Sequence, residues 1–284
     1  MRDIELVQAN AMTNRVNAKF MLSRLGRGFT IVCMAVFVSG CVTTTTGGFN
    51  AVASESQAIE DYINLAAGYF DAGDMAGARR NANNALRLDP RHSAAYTVLA
   101  MVFQREGDID LAAENFLRAI SLDKNNSRAR NNYAALLFSQ QDYVEAYAQL
   151  ELVVTDSTYE GRATAFENLG RSAIMVDKNA EAATAFQRAL QLNSNLYLSS
   201  LELARIRYDQ ENWQAARMAF SQYLTTVAFY SLPHSPKALL AGILIEGKFQ
   251  NQKIVRDFSL LLTTLYQDSP EYQVYQTMQN DRSK

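Results

Sequence analysis

The chain has 284 residues, with 27 basic and 29 acidic side chains, two His and two Cys. A near-neutral balance excludes the electrostatic footprint of a nucleic-acid-binding protein. Two Cys and two His leave no material for a disulfide framework or a Cys- or His-rich metal centre. Hydrophobic residues at 48% exclude a disordered chain, and 13 Gly with 4 Pro predict helices joined by short connections.

The first forty-one residues read as an address. Met1–Phe20 fits no targeting pattern, whereas a chain begun at Met21 carries a compact signal, so Met21 is the candidate start. Arg24 and Arg27 precede the uncharged run 28–38 (GFTIVCMAVFV), eleven residues long. That is too short to span a bilayer as a helix and has the form of a secretory signal. It ends in Val38-Ser39-Gly40-Cys41. This resembles a bacterial lipobox, in which small residues precede the cut and the Cys thiol takes a diacylglyceryl group. Ordinary signal-peptide cleavage is the alternative.

On the lipobox reading, residues 1–40 are removed, Cys41 is acylated and 41–54 is a flexible tether. By resemblance to enterobacterial lipoproteins, in which an Asp directly after the acylated Cys favours inner-membrane retention, Val42 implies the periplasmic face of the outer membrane. Residues 1–40 contain five basic and two acidic side chains, so the remaining 244 carry 22 basic and 27 acidic.

From Ile59 onward the sequence repeats every 34 residues. Counting Ile59, Ser93, Ser127, Ala163 and Tyr197 as position 1, position 8 is Ala66, Ala100, Ala134, Gly170 and Ala204. Position 20 is Ala78, Ala112, Ala146, Ala182 and Ala216. Position 24 is Ala82, Phe116, Leu150, Phe186 and Phe220. A two-residue insertion falls near Asp156-Ser157. Small residues at 8 and 20 allow two helices to approach closely, and large ones fill the space between. Asp74, Asp108, Asp142 and Asn212, at position 16, are expected to cap the second helix of each pair; in the fourth unit Lys178 stands there, and Asp177 is the substitute cap. Arg130 and Ser200 at position 4 and Arg207 at position 11 break the pattern and predict looser packing or a specific contact. Residues 236–247 and 251–266 read as a sixth, degenerate pair, with Asp268-Ser269-Pro270 ending it.

This pattern resembles the tetratricopeptide repeat. The resemblance implies an all-α, right-handed superhelical solenoid of about six repeats over residues 55–279, followed by a polar tail at 280–284. It also implies that positions 2, 5, 9, 12 and 13 of each first helix line a concave face. The candidate partner-binding residues there are Ile63, Phe70, Met101, Phe138, Arg171, Ile174, Leu201, Arg205 and Tyr208. His92 and His234 fall at repeat junctions and Trp213 beside a cap, places of packing rather than chemistry. No nucleophile, phosphate loop or metal-ligand spacing occurs, so neither catalysis nor a cofactor is expected.

A lipobox, a short tether and repeats filling the mature chain together resemble the type IV pilus biogenesis/stability lipoproteins, the pilotins of pilus secretins. Ala76–Pro90 (AGARRNANNALRLDP) and the tail segment LLTTLYQDSPEY carry the likeness. The resemblance implies a monomeric outer-membrane lipoprotein, anchored by acyl chains on Cys41. It would bind secretin subunits, promote their localisation and multimerisation, and so support twitching motility. The alternative is a lipoprotein scaffold for β-barrel assembly or for peptidoglycan synthase activation.

Overall fold

The computed structural model describes residues 54–282. Cys41, the signal segment and most of the tether lie outside the described residues. The unit Val52–Lys284 is compact by itself.

Thirteen α-helices and no strands are described. Six helix pairs follow one another: α1 Glu55–Asp71 with α2 Met75–Leu88, α3 Ser93–Glu106 with α4 Ile109–Leu122, α5 Ser127–Ser139 with α6 Tyr143–Val153. They continue as α7 Arg162–Met175 with α8 Asn179–Leu192, α9 Tyr197–Asp209 with α10 Trp213–Phe229, and α11 Pro236–Lys248 with α12 Gln252–Leu265. A last helix, α13, runs from Pro270 to Arg282. The all-α tetratricopeptide solenoid is therefore the observed fold.

Close approach within each pair follows from the small residues. The alanines at positions 8 and 20 have no solvent exposure in any of the five units. Where Gly170 replaces Ala at position 8, a Cβ would stand 2.7 Å from the Phe186 ring, so the position-24 ring sits in the space a methyl would need. The sixth pair repeats this solution. Gly242 and Phe258 keep the same sixteen-residue separation, and a Cβ on Gly242 would lie 2.5 Å from Phe258. Its degeneracy in sequence thus conceals a packing rule shared with the regular repeats.

The turns between paired helices also share one device. Position 15 takes a left-handed conformation in every regular unit: Gly73 and Gly107 at φ 82° and 89°, then Gln141, Asp177 and Glu211 at 65°, 60° and 59°. Caps follow where a side chain reaches an early amide of the second helix. Asp74 accepts from the Gly77 amide at 2.8 Å, Asp142 from Glu145 at 3.3 Å and Asn212 from Ala215 at 3.2 Å. Two expectations fail. Asp108 stands at its cap position without a capping hydrogen bond. Asp177 does not substitute for Lys178, because it supplies the left-handed turn residue instead.

Successive first helices, α1 through α11, pack against one another, whereas successive second helices make no comparable contact. The first helices therefore form the inner layer of a curved stack and the second helices splay outward. Helix α13 departs from the expectation that Pro270 only ends structure. Proline suits the first turn of a helix, where its missing N–H is not needed, and the Ser269 hydroxyl accepts from the Tyr272 amide at 3.1 Å. The helix lies along α11 and does not continue the stack beyond α12.

Candidate partner-binding groove

The inner layer divides the expected groove residues into two sets. Every position-5 side chain is buried: Ile63, Thr97, Asn131, Glu167 and Leu201. Ile63 is 9% exposed and packs with Ile59, Ala85 and Ala95; Leu201 is 3% exposed and packs in the C-terminal core. These two groove candidates shape the wall and present no surface to a ligand. The polar members of the set join neighbouring first helices. Glu167 accepts from the Ser199 amide at 3.1 Å and its hydroxyl at 2.7 Å, and the Asn168 side-chain amide donates to Asn131 at 3.3 Å. A buried carboxylate is stable only with such donors.

Positions 9, 12 and 13 do reach the surface. Phe70, Met101, Phe138, Ile174, Arg205 and Tyr208 are half-buried and Arg171 is exposed. The aromatic residues at position 12 share a feature invisible in the one-dimensional pattern: each is roofed by a cation from the next repeat. The Arg105 guanidinium lies 4.9 Å from the Phe70 ring centroid, and that of Arg171 lies 4.6 Å from Phe138. Lys248 lies 5.9 Å from Tyr208 and 4.3 Å from Trp213, which meets Tyr208 edge-on at 4.9 Å. The cation–π attraction orients each basic side chain along the inner layer. The face thus presents aromatic platforms bordered by positive charge, a surface suited to peptide chains rather than to small-molecule chemistry.

At its C-terminal end the inner layer holds a cavity of about 130 Å³, lined by Arg205, Tyr208, Lys237, Leu244 and, from α13, Glu271. Glu202 holds the two cations there, 2.6 Å from Arg205 and 3.4 Å from Lys237. The start of α13 therefore walls off this end. A second hollow of about 460 Å³ opens beside Arg207, Leu203, Leu190 and Met218. Ser200, the other departure in the fifth unit, is fully buried, so its position 4 is closely packed. Arg130 is absorbed structurally, donating to the Lys124 carbonyl at 3.1 Å and to Gln149 at 2.6 Å.

A further apolar surface escaped the sequence reading. The outer side of α1 presents Leu65, Gly68, Tyr69 and Ala72 around a mostly apolar depression. The signal was present: Leu65 at position 7 and Tyr69 at position 11 belong to the repeat pattern, and among the described residues no second helix precedes the first repeat to cover them.

The histidines fit structural roles. His234 lies against Phe258 in a tilted contact, with ring centroids 5.0 Å apart, and its Nδ1 lies 3.1 Å from the Tyr223 hydroxyl. Burial lowers its pKa below the usual histidine range and pushes the Tyr223 hydroxyl up to about 12. His92 lies 3.7 Å from Glu60. Among the described residues, no cluster of three or more His, Cys, Asp or Glu is arranged to hold a metal ion, and no helix is long and apolar enough to cross a membrane.

Comparison with known proteins places this geometry. A tetratricopeptide repeat family model matches residues 97–160 and 167–231. The type IV pilus assembly protein PilF of Pseudomonas aeruginosa is 32% identical over 253 residues, covering 88% of this chain and 98% of that protein. An uncharacterised protein of Haemophilus influenzae is 23% identical over 170 residues, covering 60% of this chain and 90% of its own. Among solved structures, Pseudomonas aeruginosa PilF superimposes with a TM-score of 0.71 at 32% identity, over 79% of this chain and 99% of that one. PilW, a type IV pilus biogenesis factor, shares the fold with a TM-score of 0.61 at 24% identity, over 77% and 98%.

Proposed function

The chain belongs to the tetratricopeptide-repeat family of type IV pilus assembly proteins that includes PilF, and from that membership we propose that it is an outer-membrane lipoprotein binding the pilus secretin. Homology of this extent supports a role in type IV pilus biogenesis. Tetratricopeptide repeats indicate protein–protein interaction, and such scaffolds are typically non-enzymatic.

In the proposed mechanism, acyl chains on Cys41 fix the protein to the periplasmic face of the outer membrane. Its inner face captures secretin subunits, and anchoring raises their local concentration at the membrane where they multimerise. The observation that carries the reading is the run of inner-face aromatics at Phe70, Phe138 and Tyr208, each bordered by a cation of the following repeat. Such a surface takes an extended or helical segment by apolar contact while its cations select acidic or carbonyl-rich partners.

Deleting the gene is expected to abolish secretin multimers and twitching. A Cys41→Ala chain is expected to fold but to leave secretin subunits away from the outer membrane. Normal multimers in the deletion strain would sink the proposal. Co-purification of a barrel-assembly protein or a peptidoglycan synthase in place of the secretin would replace it.

A further inference from the structure

We infer that one edge of the solenoid, at the end of α10 and the start of α9, is a contact surface for the lipid bilayer. The inference rests on the reading of Cys41 as the membrane anchor.

Helix α10 has 17 residues, whereas the other second helices have 11 to 14. Its extra turn carries Phe229 and Tyr230 clear of the domain, 80% and 49% exposed, with Leu232 just beyond. A free-standing apolar tip of this size is unusual on a soluble surface. The backbone holds it rigidly. The Tyr230 amide donates to the Thr226 carbonyl at 3.1 Å and Leu232 to Val227 at 2.9 Å, around Ser231 at φ 52°. The two rings meet edge to face at 4.9 Å.

The neighbouring loop and the first turn of α9 extend the patch. Asn195 donates to the Tyr230 hydroxyl at 3.3 Å and Gln222 to the Ser194 carbonyl at 3.0 Å, which draws the two segments together. Tyr197 and Leu198 are exposed beside them. The joined segments, 189–201 and 218–236, contain no Asp, Glu, Lys or Arg. Their exposed side chains are Phe229, Tyr230, Tyr197, Met218 and several Leu, interspersed with Ser, Thr, Asn, Gln, Ala and Pro, with His234 half-buried. That is the composition of protein at headgroup level, where aromatic rings are enriched. A convex, uncharged tip matches a zwitterionic lipid surface, and it offers none of the charge complementarity that orients protein partners.

Topology brings the same edge towards the membrane. First helices begin and second helices end on one edge of a stack of short-turned pairs, so Ser54, the cap of α1, shares it with Tyr197 and Tyr230. Ser54 lies thirteen positions after Cys41, a reach of about 45 Å when fully extended. Tethering at that range makes even a weak lipid contact effective, and the contact would set which face of the groove looks into the periplasm.

The test uses tryptophan as a depth probe in the full chain. Cys33→Ser leaves Cys41 as the only thiol, and Cys41 is coupled to a maleimide lipid in phosphatidylethanolamine vesicles with brominated acyl chains. Phe229→Trp adds an indole at the tip. Trp213, sixteen residues away on the same helix and so about 24 Å distant, is the internal control, and Val144→Trp is an exposed control elsewhere. The expected result is quenching of the indole added by Phe229→Trp at least twofold stronger than that of Trp213 or of the Val144→Trp chain. Equal quenching at all three sites overturns the inference. Loss of a co-purifying envelope protein in a Phe229→Ser/Tyr230→Ser chain, without excess quenching, assigns the edge to a protein and also overturns it. Because the tether is made chemically, the outcome is independent of acylation in the cell. Mass spectrometry of Cys41 from membranes reports separately on the lipoprotein reading.

Discussion

Arg217 on α10 reaches Glu246 on α11 in a two-pronged pair, Nε to Oε1 at 3.1 Å and Nη2 to Oε2 at 3.2 Å. The Asn251 side-chain amide donates to the same carboxylate at 2.8 Å, and the Phe249 ring lies 4.5 Å under the guanidinium. This pair joins the fifth repeat to the sixth, where the helices of adjoining repeats touch least.

Glu246 is buried while Arg217 stays half-exposed. Removing the carboxylate therefore leaves Asn251 without an acceptor but does not strand a buried cation. Glu246→Ala is expected to cost about 2 kcal/mol. In urea it should give an early transition in which the sixth repeat frays before the rest. A single transition at the wild-type midpoint refutes this.

Close packing at position 8 predicts a change of sign among glycines. Gly170→Ala and Gly242→Ala place a methyl inside the rings of Phe186 and Phe258 and should each destabilise by about 1–3 kcal/mol. Gly68→Ala meets nothing within 4 Å on an exposed face of α1 and should stabilise by about 0.5–1 kcal/mol through helix propensity. Thermal midpoints moving in the same direction for all three would contradict the packing rule.

Left-handed turn residues offer the opposite opportunity. Gln141, Asp177 and Glu211 hold a backbone conformation that glycine adopts without steric conflict. Substituting Gly at all three is expected to raise stability by about 0.5–1 kcal/mol per site, read as a higher urea midpoint with an unchanged slope.

Acid should weaken the C-terminal core through His234. Its folded pKa lies below the unfolded value of about 6.5 because burial disfavours the charged ring. The unfolded chain then binds the proton more readily. The stabilisation is complete above about pH 6.5 and is lost as pH falls through the lower folded pKa. His234→Phe should flatten stability between about pH 7.5 and 5 relative to wild type. An unchanged pH profile in that variant would show that other groups govern the acid response.

Phe138 and Arg171 form the central platform of the inner face. If the inner face binds secretin as proposed, Phe138→Ser with Arg171→Glu is expected to reduce that capture at least tenfold with an unchanged helical circular dichroism spectrum. The corresponding change at the buried Leu201 should instead disrupt folding. Undiminished capture by the double variant would move the binding site away from the inner face.

Much of this molecule is written along the chain. The spacing of Ala66 and Ala78, or of Ala204 and Ala216, follows from the need of two helices to touch, and it recurs because each repeat solves the same local problem. Those contacts lie within about twenty residues, so a linear pattern records them. The sixth repeat shows where that record thins: once Gly242 and Phe258 satisfy the tightest contact, the other positions are free to drift.

Position 5 marks the limit. Whether Ile63, Glu167 and Leu201 face a ligand or a neighbouring helix depends on the angle between successive repeats, which no single repeat encodes. The structure buries them, because the first helices close on one another. The cations over Phe70 and Phe138, the wall made by α13 and the uncharged edge at Phe229 arise in the same way, from elements meeting across repeats. Helix pairs are legible in residue spacing alone, since short-range sterics dictate them. The side chains left for a partner belong to the assembled solenoid, because exposure is what remains after every helix has taken its neighbours.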